Sequence, residues 1–148
     1  MRIIARIDIK NNFVIKGINL EGLRKVGDPY ELITKYYKQG IDEIIIQDSV
    51  ASLYGRNNLF DFIKDITKEI FIPITLGGGI RSLSDIEKAL NSGADKVSIN
   101  TRALENPNFI KEASNEFGSS TIVSSIEAKK YQIIFGNHTS FVVEKELI

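Results

Sequence analysis

Apolar and polar positions along this chain switch repeatedly between two periods. Short β-branched runs alternate with stretches whose apolar residues recur three and four apart, the pattern of strands alternating with helices. Met1 to Ile9 is a near-continuous apolar run that reaches Asp8, and it predicts a strand buried on both faces. Phe13-Val14-Ile15-Lys16-Gly17 follows the turn signal Lys10-Asn11-Asn12 and predicts a hairpin-like excursion. Asp28-Pro29-Tyr30-Glu31 predicts a helix start, with Asp28 as cap, Pro29 at the first helical position and Glu31 where a capping box places it. Leu32, Ile33, Tyr36 and Tyr37 carry the helical stripe to a stop at Gly40.

The pattern then repeats. Glu43-Ile44-Ile45-Ile46-Gln47-Asp48 predicts a strand ending in a carboxylate, and Leu59 to Ile70 a helix with Leu59, Phe62, Ile63 and Ile66 on one stripe. Ile74 to Leu76 precedes Gly77-Gly78-Gly79. A helix follows from Ser82 to Leu90 and closes at Gly93. Lys96 to Asn100 is the next strand, Asn106-Pro107 starts a helix that ends at Gly118, and Thr121 to Ile126 is a fifth strand ending at Glu127. Tyr131 to Phe135 and Ser140 to Val143 flank Gly136-Asn137, a hairpin signature in which His138 reads as a surface turn residue.

Four strand-to-helix alternations with short connections argue a parallel sheet with helical crossovers. A doubly wound sheet and a (β/α)8 TIM barrel both fit. Asp8, Asp48, Gly77, Asn100 and Glu127 each close a different strand, and chemistry distributed over several strand ends favours the barrel. A complete barrel takes about 250 residues and eight strands, whereas the 148 residues supply five. The expectation is either an open sheet or roughly the first 60% of a barrel. Residues 1–148 then form one N-terminal part of it: a half-barrel with its fifth strand and hairpin. In that arrangement the outer edges of the first and fifth strands are left unpaired.

Composition narrows the function. Lys plus Arg equals Asp plus Glu, 19 each, so no net field favours nucleic acid or an anionic membrane. There is no cysteine, hence no disulfide scaffold and no thiolate metal site. No apolar run approaches the roughly 20 residues of a membrane helix. The N-terminus places arginines inside a strand-like run and lacks a signal-peptide cleavage site, so a cytoplasmic chain is expected.

The glycine turn is where chemistry concentrates. Strand, bare glycine turn and helix in succession let backbone N–H groups approach an anion, and the helix start adds partial positive charge. Asn100-Thr101, ending the neighbouring strand, supplies an amide side chain and a further helix start, which makes a phosphate the favoured ligand over a merely flexible turn. Asp8 and Glu127 end the first and fifth strands, on opposite sides of an eight-stranded barrel, where paired carboxyls suit general acid–base work. Capping of neighbouring loops is the competing role, equally good for Asp8 and the simpler one for Glu127. Lys16, in the excursion, is a solvated loop lysine or a cation on a mobile lid. Arg2, Glu43 and Lys96 begin three strands and would form a charged ring at a barrel floor, although strand starts often carry surface charge.

Taken in order, Arg2-Ile3-Ile4-Ala5, Asp8-Ile9-Lys10, Val14-Ile15-Lys16-Gly17, Gly27-Asp28-Pro29, Gly77-Gly78-Gly79-Ile80, Gly93 to Thr101 and Glu105-Asn106-Pro107 resemble the cyclase subunit of imidazole glycerol phosphate synthase. That family is a (β/α)8 barrel built from two similar halves. With a glutaminase partner, in a heterodimer, it uses ammonia to convert a phosphoribulosyl-formimino aminoimidazole carboxamide ribotide into imidazole glycerol phosphate, a step of histidine synthesis. The resemblance implies no cofactor and no metal. It makes Asp8 a catalytic acid–base residue, puts Glu127 at the family's second, and places Lys16 on the mobile catalytic loop. It gives Gly78, Gly79, Asn100 and Thr101 to one substrate phosphate, Arg2, Glu43 and Lys96 to the ammonia gate, and Asp95 to the glutaminase interface.

The chain also departs from that pattern. Glu127 stands where the family has aspartate, and Arg6 replaces an uncharged residue on a position that alternation aims to the same side as Asp8. Gln47 to Asn58 and Ser125 to Lys129 look more like a paralogous branch found with surface-polysaccharide genes. There, a glutaminase-like partner and a separate amidotransferase are associated with acetamidino groups on sugars. That branch, with an ammonia-channelling role, is the alternative function. The family's sixth to eighth strands have no counterpart here, so little cyclase activity is expected from the 148 residues alone.

Overall fold

A computed structural model of the chain describes residues 1–18, 22–49, 59–126, 129–135 and 138–145, the last two segments as backbone pairing. Strand β1 (Ile4–Lys10) turns through Asn11, at φ 55°, into β2 (Phe13–Ile18) and then β3 (Gly22–Gly27). Asparagine tolerates that left-handed conformation better than other side chains. Helix α1 (Pro29–Lys38) follows, with Asp28 Oδ1 accepting from the Glu31 N–H at 3.1 Å. Next come β4 (Glu43–Asp48), α2 (Leu59–Ile66), β5 (Ile74–Gly77), α3 (Leu83–Asn91) and β6 (Lys96–Ile99). A short α4 (Thr101–Glu105), α5 (Asn108–Phe117) and β7 (Ile122–Ser124) precede a hairpin of β8 (Lys129–Phe135) and β9 (His138–Lys145).

The strands form one seven-stranded sheet, ordered β3-β2-β1-β4-β5-β6-β7, and a separate β8–β9 ribbon. Five strands, β1, β4, β5, β6 and β7, are consecutive parallel neighbours joined by helical crossovers. This is the (β/α) alternation of a partial TIM barrel. The predicted bare edge of the first strand carries instead the antiparallel β2, paired at Asp8↔Ile15, Ile9↔Val14 and Lys10↔Phe13. The edge at β7 stays open among the described residues. His138 begins β9 as the register partner of Phe135, so it belongs to the ribbon's ladder and not to the turn.

Alternation decides which face of the sheet is covered. Ile7, Ile9, Ile44, Ile46, Ile74, Leu76, Val97 and Ile99 point one way and pack on Ile33 of α1, Ile63 and Ile66 of α2, Ile86 and Ala89 of α3, and Phe109 and Ala113 of α5. Each fully buried isoleucine contributes about 1.5–3 kcal/mol relative to exposure. The opposite face carries Arg6, Asp8, Glu43, Gln47, Thr75, Lys96 and Ser98. Strand β1 is therefore buried on one face and not on two: Ile7 and Ile9 are core, while Arg6 is exposed and Asp8 half-buried. Helix α2 is shorter than its apolar stripe predicts: after Thr67 the backbone ladder tightens to i−3 bonds, Lys68 N–H to the Asp65 carbonyl at 3.2 Å and Glu69 N–H to the Ile66 carbonyl at 3.1 Å, with Ile70 still reaching the core.

Candidate anion cleft and charged floor

In-register pairing sets Asp8 beside Gln47, Gln47 beside Gly77, and Gly77 beside Ser98, a single row near the carboxyl ends of four parallel strands. Gly77 keeps that row close: a Cβ there would push the Gln47 side chain aside and lie 3.1 Å from Ser98 Cβ. The chain then turns through Gly78 at φ 96° and Gly79 at φ 72°, the left-handed region that side chains rarely adopt. A Cβ on Gly78 would also sit 2.9 Å from Asp48 Cβ. The turn is thus held against the end of β4, with Gly78 and Gly79 half-buried.

The helix that follows behaves differently from expectation. Asp85 Oδ2 accepts from the Arg81 N–H at 3.1 Å, the Ser82 N–H at 3.1 Å and the Ser82 hydroxyl at 2.9 Å, while Ser82 Oγ accepts from the Asp85 N–H. This complete capping box puts a carboxylate of the chain itself on the start of α3, so that helix end is not the source of charge for a ligand. The glycine turn and the next strand end carry that role.

Gly78, Gly79 and Ile80 share a cleft of about 460 Å³ with Arg6, Gln47, Asp48, Ser98, Asn100, Thr101 and Arg102. Asn100 and Thr101 come directly off β6 and do meet the glycine turn there. Two buried polar atoms in this lining, Asn100 Oδ1 and Arg102 Nε, have no hydrogen-bond partner among the described residues. Buried polar groups are normally paired, so the unpaired Arg102 Nε donor marks a place suited to an anionic group, and the unpaired Asn100 Oδ1 acceptor one suited to a hydroxyl or N–H of a ligand. Arg102 is otherwise held by Glu105 Oε2 at 3.4 Å and lies over the Phe109 ring at 5.6 Å.

Asp8 lies one row-step away, and Arg6 grips it. Arg6 Nε and Nη2 donate to Asp8 Oδ1 at 3.0 and 2.9 Å. The expectation that Arg6 and Asp8 share a side is met. Lys16 is exposed on β2, opposite Arg24 in the β2–β3 ladder. Glu127 and the distinctive loop at 50–58 lie outside the described residues, so the facing of Asp8 and Glu127 is not among the observed relations.

At the other end of the same face the charged floor is assembled. Lys96 Nζ donates to Glu43 Oε1 at 2.6 Å, Arg2 Nη1 is 3.6 Å from Glu43 Oε2, and the Thr75 hydroxyl donates to Glu43 Oε1 at 3.3 Å. Glu43 is only 4% exposed. Asp95 is exposed but committed locally: its Oδ2 accepts from the Ile74 N–H at 2.8 Å, and its own N–H donates to the Ile74 carbonyl at 2.9 Å.

A family model described as "Histidine biosynthesis protein" matches residues 2–145. The chain belongs to that family. It is 56% identical over 130 residues to the imidazole glycerol phosphate synthase subunit HisF of Legionella pneumophila, covering 88% of this chain and 61% of the relative. The HisF subunits of Petrotoga mobilis and Campylobacter concisus are 49% and 45% identical, over 87% and 88% of this chain and 51% and 52% of theirs. The chain spans between half and about three-fifths of the length of these relatives. All three carry the histidine-type name, and none supports the acetamidino-sugar alternative.

Arg102, Gln47, Ser98 and Thr75 belong to this face without having been expected from the sequence. Gln47 and Ser98 follow from in-register alternation once Asp8 and Gly77 are placed. Thr75 was legible as the polar residue interrupting Ile74 and Leu76. Arg102 gave no signal beyond its place directly after Asn100-Thr101. No helix among the described residues is long and apolar enough to cross a membrane.

Proposed function

We propose that the chain serves as the cyclase-type synthase subunit of a glutamine amidotransferase complex. In this reading it takes ammonia from a glutaminase partner and helps convert the phosphoribulosyl-formimino aminoimidazole carboxamide ribotide into imidazole glycerol phosphate. The observation that carries the reading is one face bearing, at its carboxyl end, Asp8 and a cleft beside the glycine turn and, at its amino end, the charged cluster on Glu43. The relatives' names, similar over most of this chain, supply the reaction.

Each residue has a physical task in this reading. Gly78 and Gly79, lacking side chains, allow a phosphate close to the backbone, and Asn100 and Thr101 complete a cradle for it, fixing the substrate's position. Asp8 exchanges the proton as ammonia adds and the ring closes, with Glu127 as the second carboxyl. Lys16 closes from the β2–β3 hairpin with a cation over the substrate. Arg2, Glu43 and Lys96 line the ammonia entry, and Asp95 stands on the same end, toward the glutaminase. Residues 1–148 are one structural unit, the amino-terminal part of the barrel, acting on a soluble metabolite in the cytoplasm without cofactor.

The test is turnover. The chain joined to the complementary carboxyl-terminal part of the Legionella relative, given the ribotide and ammonium salts, is expected to form imidazole glycerol phosphate, and the same protein with Asp8→Asn to lose at least a hundredfold in kcat, the scale of general acid–base catalysis of roughly 10²–10⁴. The 148 residues alone are expected to show little turnover. Full activity with Asp8→Asn would overturn the assignment.

A further inference from the structure

Gln47 has a place in the cleft that the reading above leaves unused. It stands in the row between Asp8 and Gly77, as register partner of both, and it lines the cleft with Gly78, Gly79, Asn100 and Thr101. Gly77 makes room for it. The position that a Gly77 Cβ would take is filled by Gln47 Oε1, with Gln47 Cδ 3.0 Å away, so the side chain lies across the bare glycine. Gln47 is half-buried, and its carboxamide has no hydrogen-bond partner among the described residues. Such a group offers one acceptor and two donors. A second observation asks for the same chemistry. Asn100 Oδ1, in the same lining, is a buried acceptor without a partner. A phosphate dianion has no hydrogen to give, so phosphate alone leaves that acceptor unsatisfied. A hydroxyl both donates and accepts, and it suits both amides.

We propose that Gln47 is a specificity-determining residue: with Asn100 Oδ1 it recognises the hydroxyls of a sugar joined to the phosphate in the cradle. The row puts Gln47 between the glycine strand and Asp8, so the skeleton that links a seated phosphate to the acid–base group passes over the carboxamide. The ligand class is a sugar phosphate, told apart from a phosphate ester whose carbon skeleton carries no hydroxyls. Both arms of the ribotide are sugar phosphates. The proposal rests on reading the cleft as a phosphate cradle.

Dissociation constants from NMR titrations of the 148-residue chain and its variants test the assignment. The probes are inorganic phosphate, ribose 5-phosphate and tetrahydrofurfuryl phosphate, which keeps the ring of the sugar without its hydroxyls. The parent is expected to bind ribose 5-phosphate about tenfold tighter than the ring analogue, the scale of one or two net hydrogen bonds. Gln47→Met, similar in length but without the amide, is expected to weaken ribose 5-phosphate about fivefold. It should leave inorganic phosphate and the ring analogue unchanged, which a mere brace between strands would not do. Circular dichroism confirms that each variant folds; Gln47→Leu carries the comparison if methionine does not. A parent without the preference, a preference that survives the substitution, or an equal weakening of all three probes would overturn the role of Gln47 while leaving the cradle standing. No binding of any probe by the parent chain would overturn the cradle and the role of Gln47 with it.

Discussion

Lys96 Nζ meets Glu43 Oε1 at 2.6 Å across the intervening strand β5, whose Thr75 hydroxyl donates to the same oxygen at 3.3 Å. Three adjacent parallel strands thus contribute to one carboxylate that is almost fully buried. A buried charge without its partner is far costlier than the pair is beneficial. Lys96→Met should therefore cost about 2 kcal/mol in urea unfolding, below the 3–5 kcal/mol of a fully buried pair because Lys96 is partly exposed and Arg2 remains nearby. Adding Glu43→Gln to Lys96→Met should restore part of that loss. A double variant no more stable than the Lys96 single variant would show that the pair is not coupled as the geometry requires.

Gly78→Ala tests the turn itself. At φ 96°, and with a Cβ 2.9 Å from Asp48 Cβ, the substitution is strained twice over. We expect a loss of about 1–3 kcal/mol in denaturant unfolding from the backbone strain, together with loss of phosphate affinity. Phosphate binding retained at parental strength would remove Gly78 from the cradle.

Asp95 distinguishes a partner-facing role from a local one. Its carboxylate caps the Ile74 N–H at 2.8 Å, where β5 begins. Asp95→Ala should lower the stability of the isolated chain by about 1 kcal/mol, the typical net worth of such a bond at a site water can reach. Unchanged thermal unfolding would mean that Asp95 serves only an interface.

The strand and helix order was legible in the sequence because isoleucine runs and helical stripes are both dense. Ile63 and Ile66 report their burial through the helical stripe and Ile99 through alternation with Ser98, whereas Ile44 and Ile46 are marked by the density of the run Ile44-Ile45-Ile46 and not by period. The face of β1 was also written there, in the alternation of Arg6 and Asp8 with Ile7 and Ile9, but the surrounding apolar density hid it. The chain at Gly22-Leu23-Arg24-Lys25-Val26-Gly27 gave no strand signal. Leu23 to Val26 are exposed and two of them charged, and the strand is held by ladder hydrogen bonds to β2 and by Lys25 stacking 3.8 Å over the Phe13 ring. The start of α3 misled for a local reason: the sequence was read for a helix beginning at Ser82, and Asp85, whose carboxylate occupies that helix's own N–H groups, was not singled out. Arg102 was hidden because a cation inside a short helix looks like a solvated face until its Nε is found buried.

The most direct measurement is an amide-resolved NMR titration of the 148-residue chain with the phosphoribulosyl-formimino aminoimidazole carboxamide ribotide. The account predicts saturable shifts at Gly78, Gly79, Asn100 and Thr101, with Asp8 and Lys16 moving at the same ligand concentration while Glu43 and Lys96 stay fixed. Shifts absent from the glycine turn, or confined to residues away from the cleft, would contradict it.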